Sequence, residues 1–265
     1  MSLPLFQVDA FTAEPFRGNP AAVVLLDHER PDVWMQHVAA EMNLAETAFL
    51  LPAGTRWALR WFTPTVEVEL CGHATLASSH VLWQTERLAA TDAAVFDTRS
   101  GRLSATRSGD TIELDFPATP ATIAPEYAEA VASVLNRAPR WVGRNRLDDL
   151  LVRLERADEI TQFNPDVDLI AGLDARGLII TAPATDGQHD FVSRYFTPQQ
   201  GINEDSVTGA AHCALGPYWA QEFNRQVVTG FQASQRGGTV RVTVRGDRVG
   251  LAGHAVTVLR GELIV

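Results

Sequence analysis

Arg60-Trp61-Phe62-Thr63-Pro64 and Arg194-Tyr195-Phe196-Thr197-Pro198 are one five-residue phrase written twice, with a single aromatic exchange, 134 residues apart in a chain of 265. Self-similarity at a fixed offset is the mark of a duplicated architecture, and the surroundings extend it. Each phrase closes an alternating stretch that reads as a strand, Trp57 to Phe62 and Asp190 to Phe196. Each of those follows an apolar strand and a Pro/Gly turn: Thr47 to Leu51 with Pro52-Ala53-Gly54, and Gly177 to Ile180 with Pro183 through Gly187. Each phrase then leads through an acidic loop to a glycine that opens an apolar helix. The first is Gly72, in Cys71-Gly72-His73-Ala74-Thr75, and the second is Gly209, in Thr208-Gly209-Ala210-Ala211-His212. The glycines are 137 residues apart, so the second loop is three residues longer.

The rest of the chain fits two similar α/β halves. The first half opens with strands at Phe6–Ala10 and Ala21–Leu26, followed by a helix over Asp32–Met42. After its central helix come strands near Ala94–Asp97 and Thr111–Phe116, and Pro117-Ala118-Thr119-Pro120 reads as the linker. The second half carries a helix around Pro125–Leu135 and another around Leu147–Arg156 or shortly after. Three period-2 strands end it: Val227–Phe231, Gly238–Arg245 and Ala255–Val265, with turns at Gly237-Gly238, Gly246-Asp247 and Gly250. The expected domains are 1–117 and 121–254, with the last strand, about 255–265, free to return to the first.

Composition narrows the chemistry. The chain is 46% hydrophobic and 20% charged, ordinary for a globular protein, and its net charge of -10 disfavours nucleic acid and anionic membranes as partners. All 22 basic residues are arginine. Without lysine there is no Schiff-base anchor for pyridoxal phosphate and no P-loop lysine. No paired C-x-x-C or H-E-x-x-H points to a metal, no G-x-G-x-x-G follows a strand, and no G-x-S-x-G elbow is present. Pyridoxal phosphate and P-loop chemistries are therefore excluded as usually built, and metal and dinucleotide sites are unsupported. Two cysteines form no disulfide framework, and the N-terminus has no signal-peptide pattern, so a cytoplasmic setting is the default expectation.

A helix start presents unpaired N–H groups and partial positive charge. Two glycine-opened starts related by duplication would clamp a small carboxylate or enolate between the two copies. Acid–base candidates cluster near them in sequence: Glu46 at a strand edge, His73 just after the first glycine, and Asp205 four residues before the second. Glu67 and Glu69 read as structural or solvent-facing, and His80 and His212 as packed helix residues. Cys71 raises a sharper alternative, a two-thiol racemase, because a helix start lowers a thiol pKa. Its repeat counterpart is Thr208, so that arrangement is broken in the second copy.

These stretches, taken in order, resemble the PhzF-like phenazine-biosynthesis isomerase family: Val8-Asp9-Ala10-Phe11-Thr12, Phe16-Arg17-Gly18-Asn19-Pro20-Ala21-Ala22-Val23, Glu46-Thr47-Ala48-Phe49, the first five-residue phrase, Cys71-Gly72-His73-Ala74-Thr75, and Asn203-Glu204-Asp205-Ser206-Val207-Thr208-Gly209 with Ala211-His212. The resemblance implies the diaminopimelate epimerase-like fold, α+β, with two pseudo-symmetric domains, each a mostly antiparallel sheet wrapped around a central helix. It implies a cofactor-independent isomerase, a homodimer, with its site in the interdomain cleft. Glu46 resembles the acid–base glutamate, Gly72 and His73 the substrate-binding pair, Asp205 the second-half partner, and Asn19 a substrate-contacting asparagine. Thr208, Gly209 and Ala210 occupy the second helix start. Ser206 stands where the family usually has proline and Ala210 where it often has serine, so the resemblance does not carry the phenazine precursor itself over as the substrate.

Overall fold

The computed structural model describes residues 2–264 and divides the chain into two units, Met1–Asp115 with Ala252–Val265, and Phe116–Leu251. In the first unit the elements are β1 (Ser2–Ala10), β2 (Asn19–Leu25), α1 (Asp32–Met42), β3 (Glu46–Ala53), β4 (Arg56–Phe62), β5 (Glu67–Val68), α2 (Gly72–Gln84), β6 (Ala94–Thr98), β7 (Gly101–Ser108) and β8 (Thr111–Pro117). The second unit holds β9 (Thr122–Ile123), α3 (Ala128–Leu135), β10 (Trp141–Arg144), β11 (Asp149–Arg153), α4 (Ala157–Thr161), α5 (Val167–Ala171), β12 (Gly177–Pro183), β13 (Phe191–Thr197), β14 (Ile202–Asp205), α6 (Gly209–Phe223), β15 (Val227–Gln232), β16 (Gly238–Arg245) and β17 (Arg248–Gly253). The last strand, β18 (Ala255–Ile264), pairs antiparallel with β1. Val265, within the expected last strand, lies outside the described residues.

Strand pairing repeats the duplication at the level of topology. In the first unit β2 and β3 are parallel, β3 and β4 antiparallel, β4 and β6 parallel, and β6 and β7 antiparallel. In the second, β11, β12, β13, β15 and β16 follow the same sequence of orientations. Parallel neighbours need a long crossover. Each parallel pair here is bridged by helix: α1, α2, then α4 with α5, then α6.

The central helices have little amphipathic contrast because they are enclosed. Ten of the 13 residues of α2 are buried, and α2 packs against β1, β2, β3 and β18. Small side chains make such enclosure feasible. A Cβ on Gly216 of α6 would lie 2.3 Å from Val242 Cγ1 on β16, so the glycine sets how closely helix and sheet approach. Helices α1, α3 and α6 stop at Asn43, Asn136 and Asn224, all in the left-handed conformation that asparagine tolerates. Two further aromatic and aliphatic cores pack against α1 and α3: Phe49 and Phe62 with Met35 and Val38 in the first unit, and Ile180 and Phe196 with Val131 and Leu150 in the second.

Two sequence expectations need correction. Leu147–Arg156 itself is not a helix, since β11 occupies Asp149–Arg153; the helix expected there or shortly after is the short α4 that follows. Leu147, Leu150, Leu151 and Leu154 do fall at helical spacing. However, β11 lies between β10 and β12 and is buried along nearly its whole length, so period-2 alternation has no exposed face on which to show. Asp149, fully buried, is held by Arg176 Nε at 2.8 Å, Tyr195 Oη at 3.0 Å and Asn145 Nδ2 at 3.1 Å. Gly250 is not a turn but lies inside β17. The strands β5, β7, β9, β10, β14 and β17 were also not anticipated.

Candidate active site

Parallel pairing of β2 and β3 puts their N-terminal ends at one end of the first unit, with Ala21 opposite Glu46. Asn19 opens β2, Glu46 opens β3, and His73 is the second residue of α2. Gly18 delivers Asn19: its φ is +61°, and a Cβ there would sit 2.1 Å from the Ala10 carbonyl oxygen. The preceding loop is braced by the buried Asp9, whose carboxylate accepts the Phe16 N–H at 2.7 Å.

The three side chains meet. Asn19 Nδ2 donates to His73 Nδ1 at 3.1 Å, which leaves the ring proton of a neutral His73 on Nε2. His73 Nε2 is 3.1 Å from Glu46 Oε2. That approach is close but oblique, and neither atom makes a hydrogen bond of good geometry despite being buried. His73 is 4% exposed and the Glu46 side chain 13%. Burial opposes charge on the His73 ring, but Cys71 and Glu46 outweigh it and hold its pKa well above 6.5. When the ring takes a second proton, the Asn19 amide must turn its oxygen toward Nδ1.

Cys71 also reaches this cluster, with Sγ 3.6 Å from His73 Nδ1. The expectation of a lowered thiol pKa is not met: burial first, and then the Glu46 charge, push it up. Donor atoms of Glu46, Cys71 and His73 lie within 4.8 Å of one another, the spacing of a mixed metal-ligand set. Cys71 approaches Nδ1 and Glu46 approaches Nε2, however, and the two ring lone pairs diverge. One ion could not take all three ligands without the ring moving.

The second unit builds a different cluster at the start of α6. Asp205 Oδ2 accepts the Thr208 hydroxyl at 2.5 Å. The buried Gln232, at the end of β15, donates through Nε2 to the Asp205 carbonyl at 2.8 Å and to Thr208 Oγ1 at 3.1 Å, and its Oε1 accepts the Thr208 N–H at 2.8 Å. Thr208 is the N-cap, Gly209 the first helical residue and Ala210 the second. Neither α2 nor α6 has a side-chain cap hydrogen bond. His212, fully buried, donates from Nδ1 to the Thr208 carbonyl at 2.8 Å, and burial drives its pKa down to about 4. It is a neutral packing residue, stacked at a tilt on Phe191. The structure thus groups Asn19, Glu46, Gly72 and His73 in one unit and Asp205, Thr208, Gly209 and Ala210 in the other. Gln232 was missed, because a lone glutamine ending a strand carries no spacing signal.

The duplicated phrase explains how both helix starts are held. Arg60 makes a bidentate pair with Glu67, Nε and one Nη each 2.7 Å from a carboxylate oxygen. Arg194 pairs with Glu204 in the same way at 2.7 and 2.8 Å. Each guanidinium also lies over the phenylalanine of its own phrase, Phe62 at 5.2 Å and Phe196 at 4.9 Å. A serine latch is duplicated too. Ser100 Oγ donates to the Glu69 carbonyl at 2.6 Å, and Ser234 Oγ donates to the Ser206 carbonyl at 2.7 Å. Both acceptors stand three residues before the helix-opening glycine. The structural reading of Glu67 therefore holds, with a partner the sequence had not assigned.

A cavity of about 410 Å³ in the first unit involves His80, Trp83 and Gln84 at the far end of α2, and one of about 160 Å³ in the second involves Tyr218 and Glu222 of α6. Neither is lined by Glu46, His73 or Asp205.

The sequence profile of the phenazine biosynthesis-like protein family matches residues 8–261. An uncharacterized isomerase of Halalkalibacterium halodurans is 48% identical, with all of both chains covered. A crystal structure of a phenazine biosynthesis protein of the PhzF family from Enterococcus faecalis superposes with a TM-score of 0.92 at 39% identity, again covering all of both chains. A probable proline racemase from Agrobacterium radiobacter shares the fold alone: its TM-score is 0.63 at 11% identity, with 99% of this chain and 93% of that one covered. Among the described residues no helix is long and apolar enough to cross a membrane.

Proposed function

The chain belongs to the phenazine biosynthesis-like, PhzF-type family, and from that premise we propose that it is a cofactor-independent isomerase that moves a proton on a small carboxylate-bearing substrate. The observation that carries this reading is the Glu46–His73–Asn19 arrangement, in which a nearly enclosed carboxylate lies 3.1 Å from an imidazole whose other nitrogen is already engaged.

Glu46 is the shuttle. Its carboxylate removes a proton from a carbon next to an unsaturated or carbonyl group and returns it to another atom of the same substrate. The reaction balances within the substrate: one C–H bond breaks, another bond to hydrogen forms, and no electrons leave. Protonated His73 stabilises the negative charge that develops, and Asn19 fixes the ring orientation. The first-turn N–H groups of α2, opened by Gly72, suit a carboxylate or enolate. In the second unit we assign Asp205, Thr208, Gly209 and Ala210 to substrate binding and orientation.

The PhzF type is favoured over a thiol racemase by two facts. A two-thiol mechanism needs a second thiol, but the counterpart of Cys71 is Thr208, and the Thr208 hydroxyl is already engaged as a hydrogen-bond donor to Asp205. The test begins with mass spectrometry of small molecules released from the purified protein on denaturation. A small carboxylate that the protein then converts to an isomer of equal mass supports the proposal. A substrate whose conversion changes mass or consumes a second reactant overturns it.

A further inference from the structure

Gln232 is fully buried at the end of β15 and touches three groups of one short segment. Its Nε2 occupies a lone pair of the Thr208 hydroxyl, so the hydroxyl hydrogen is turned toward Asp205 Oδ2, 2.5 Å away. Its Oε1 meanwhile fixes the Thr208 N–H. A carboxylate that accepts a committed hydroxyl is favoured in its ionised form. We propose that Gln232 is a positioning residue that holds Asp205 as a carboxylate acceptor beside the start of α6. The inference rests on the assignment of Asp205 to substrate binding made above.

The duplication separates this contact from the architecture. Trp57 pairs with Phe96 in the first unit, and Phe191 pairs with Gly230 in the second. By that register Thr98 stands where Gln232 stands. The Thr98 hydroxyl serves its own turn, donating to the Gly101 carbonyl at 2.7 Å. The Arg–Glu pairs and the Ser100 and Ser234 latches occur in both copies, so they belong to the shared scaffold. The glutamine amide occurs only in the copy that carries Asp205. A group needed merely to close the scaffold would be expected in both.

The test needs no substrate. The full chain is labelled with aspartate carrying ¹³C at Cγ, and the Asp205 signal is identified by its loss in Asp205→Asn. Its titration midpoint is then compared in wild type, Gln232→Glu, Gln232→Met and Ser234→Ala. Gln232→Glu keeps the size, withdraws the donor and adds a negative charge, so the midpoint should rise by about one unit, a tenfold gain in proton affinity. Gln232→Met should raise it by less, and Ser234→Ala should leave it in place. If Gln232→Glu does not fold, the methionine variant carries the comparison. An unmoved midpoint in the folded Gln232 variants, or an equal shift in Ser234→Ala, overturns the proposal. Full turnover by Asp205→Asn would instead remove the function assigned to Asp205 and leave the titration result standing.

Discussion

Arg194→Met should cost far more stability than Arg60→Met, although the two arginines occupy the same place in the same phrase. Arg194 is 8% exposed and also donates to the carbonyls of Phe163 and Ile160. Its removal strands Glu204 with no other ion-pair partner within reach among the described residues, and takes the Arg194 donor from the Phe163 carbonyl, while the Ile160 carbonyl keeps the Phe163 N–H. Breaking a buried pair from one side costs about 3–5 kcal/mol. The Glu204 side chain keeps 21% of its exposure, which places the expected loss near the lower end, about 3 kcal/mol. Arg60 is more exposed, at 27% of its side chain, and Glu67 would retain Arg99 at 2.6 Å. That loss should be about 1 kcal/mol. Urea unfolding of wild type, both single variants, Glu204→Gln and Arg194→Met/Glu204→Gln measures these terms. The double variant should recover at least about 1 kcal/mol relative to the sum of its parts, since it removes the stranded charge. Equal losses for the two arginines, or strict additivity of Arg194→Met and Glu204→Gln, would refute the view that the phrase acts as a buried brace in the second copy.

Two further outcomes follow from protonation. His212 is held neutral with a pKa near 4, against 6.5 in the unfolded chain, so the unfolded state alone takes up a proton between those values. Stability should fall on acidification from pH 6.5 to 4 by on the order of 3 kcal/mol from this residue, and His212→Phe should flatten the slope by that amount; an unchanged slope would count against it. His73 has the opposite sign. Its raised pKa gives a contribution that is full below 6.5 and lost as pH rises through the folded value, which a His73→Gln comparison in alkaline unfolding curves would detect. For the chemistry, Cys71→Ala should keep turnover within about threefold of wild type, because the proton transfer is assigned to Glu46; loss of activity comparable to that of a missing general base, about 10²-fold or more, would favour the thiol racemase.

Much of this was legible in the residues, and the physical reason differs by element. The helix over Asp32–Met42 shows its bounds because a proline precedes it and Asn43 ends it in a left-handed turn. The central helices are legible from their opening glycines rather than from periodicity, since enclosure removes the polar face. Enclosure also hides β11, whose leucines imitate a helix, and an edge signal is equally absent for β10. At the candidate site, Glu46, His73 and Asn19 could be named from motif order, and the structure supplies their contacts. The helix-start rule failed for Cys71, because desolvation outweighs the dipole when a thiol is buried beside a carboxylate. Gln232 and the serine latches were illegible for another reason. Each acts across strands on a backbone carbonyl, and a carbonyl leaves no trace in residue type.

The most direct measurement of the central claim is isotope transfer by the residue named as the shuttle. The small molecule released from the purified protein is incubated in D₂O with wild type and with Glu46→Gln, and deuterium in the product is located by NMR. Glu46→Gln is nearly isosteric; it removes the ability to carry a proton together with the negative charge beside His73. Wild type should form the isomer with deuterium at the newly protonated position, or with partial retention where the same proton is returned before exchange. Glu46→Gln, folded and with His73 still in place, should be slowed by about 10²–10⁴-fold. Product formation and deuterium incorporation by Glu46→Gln at the wild-type rate would contradict the account.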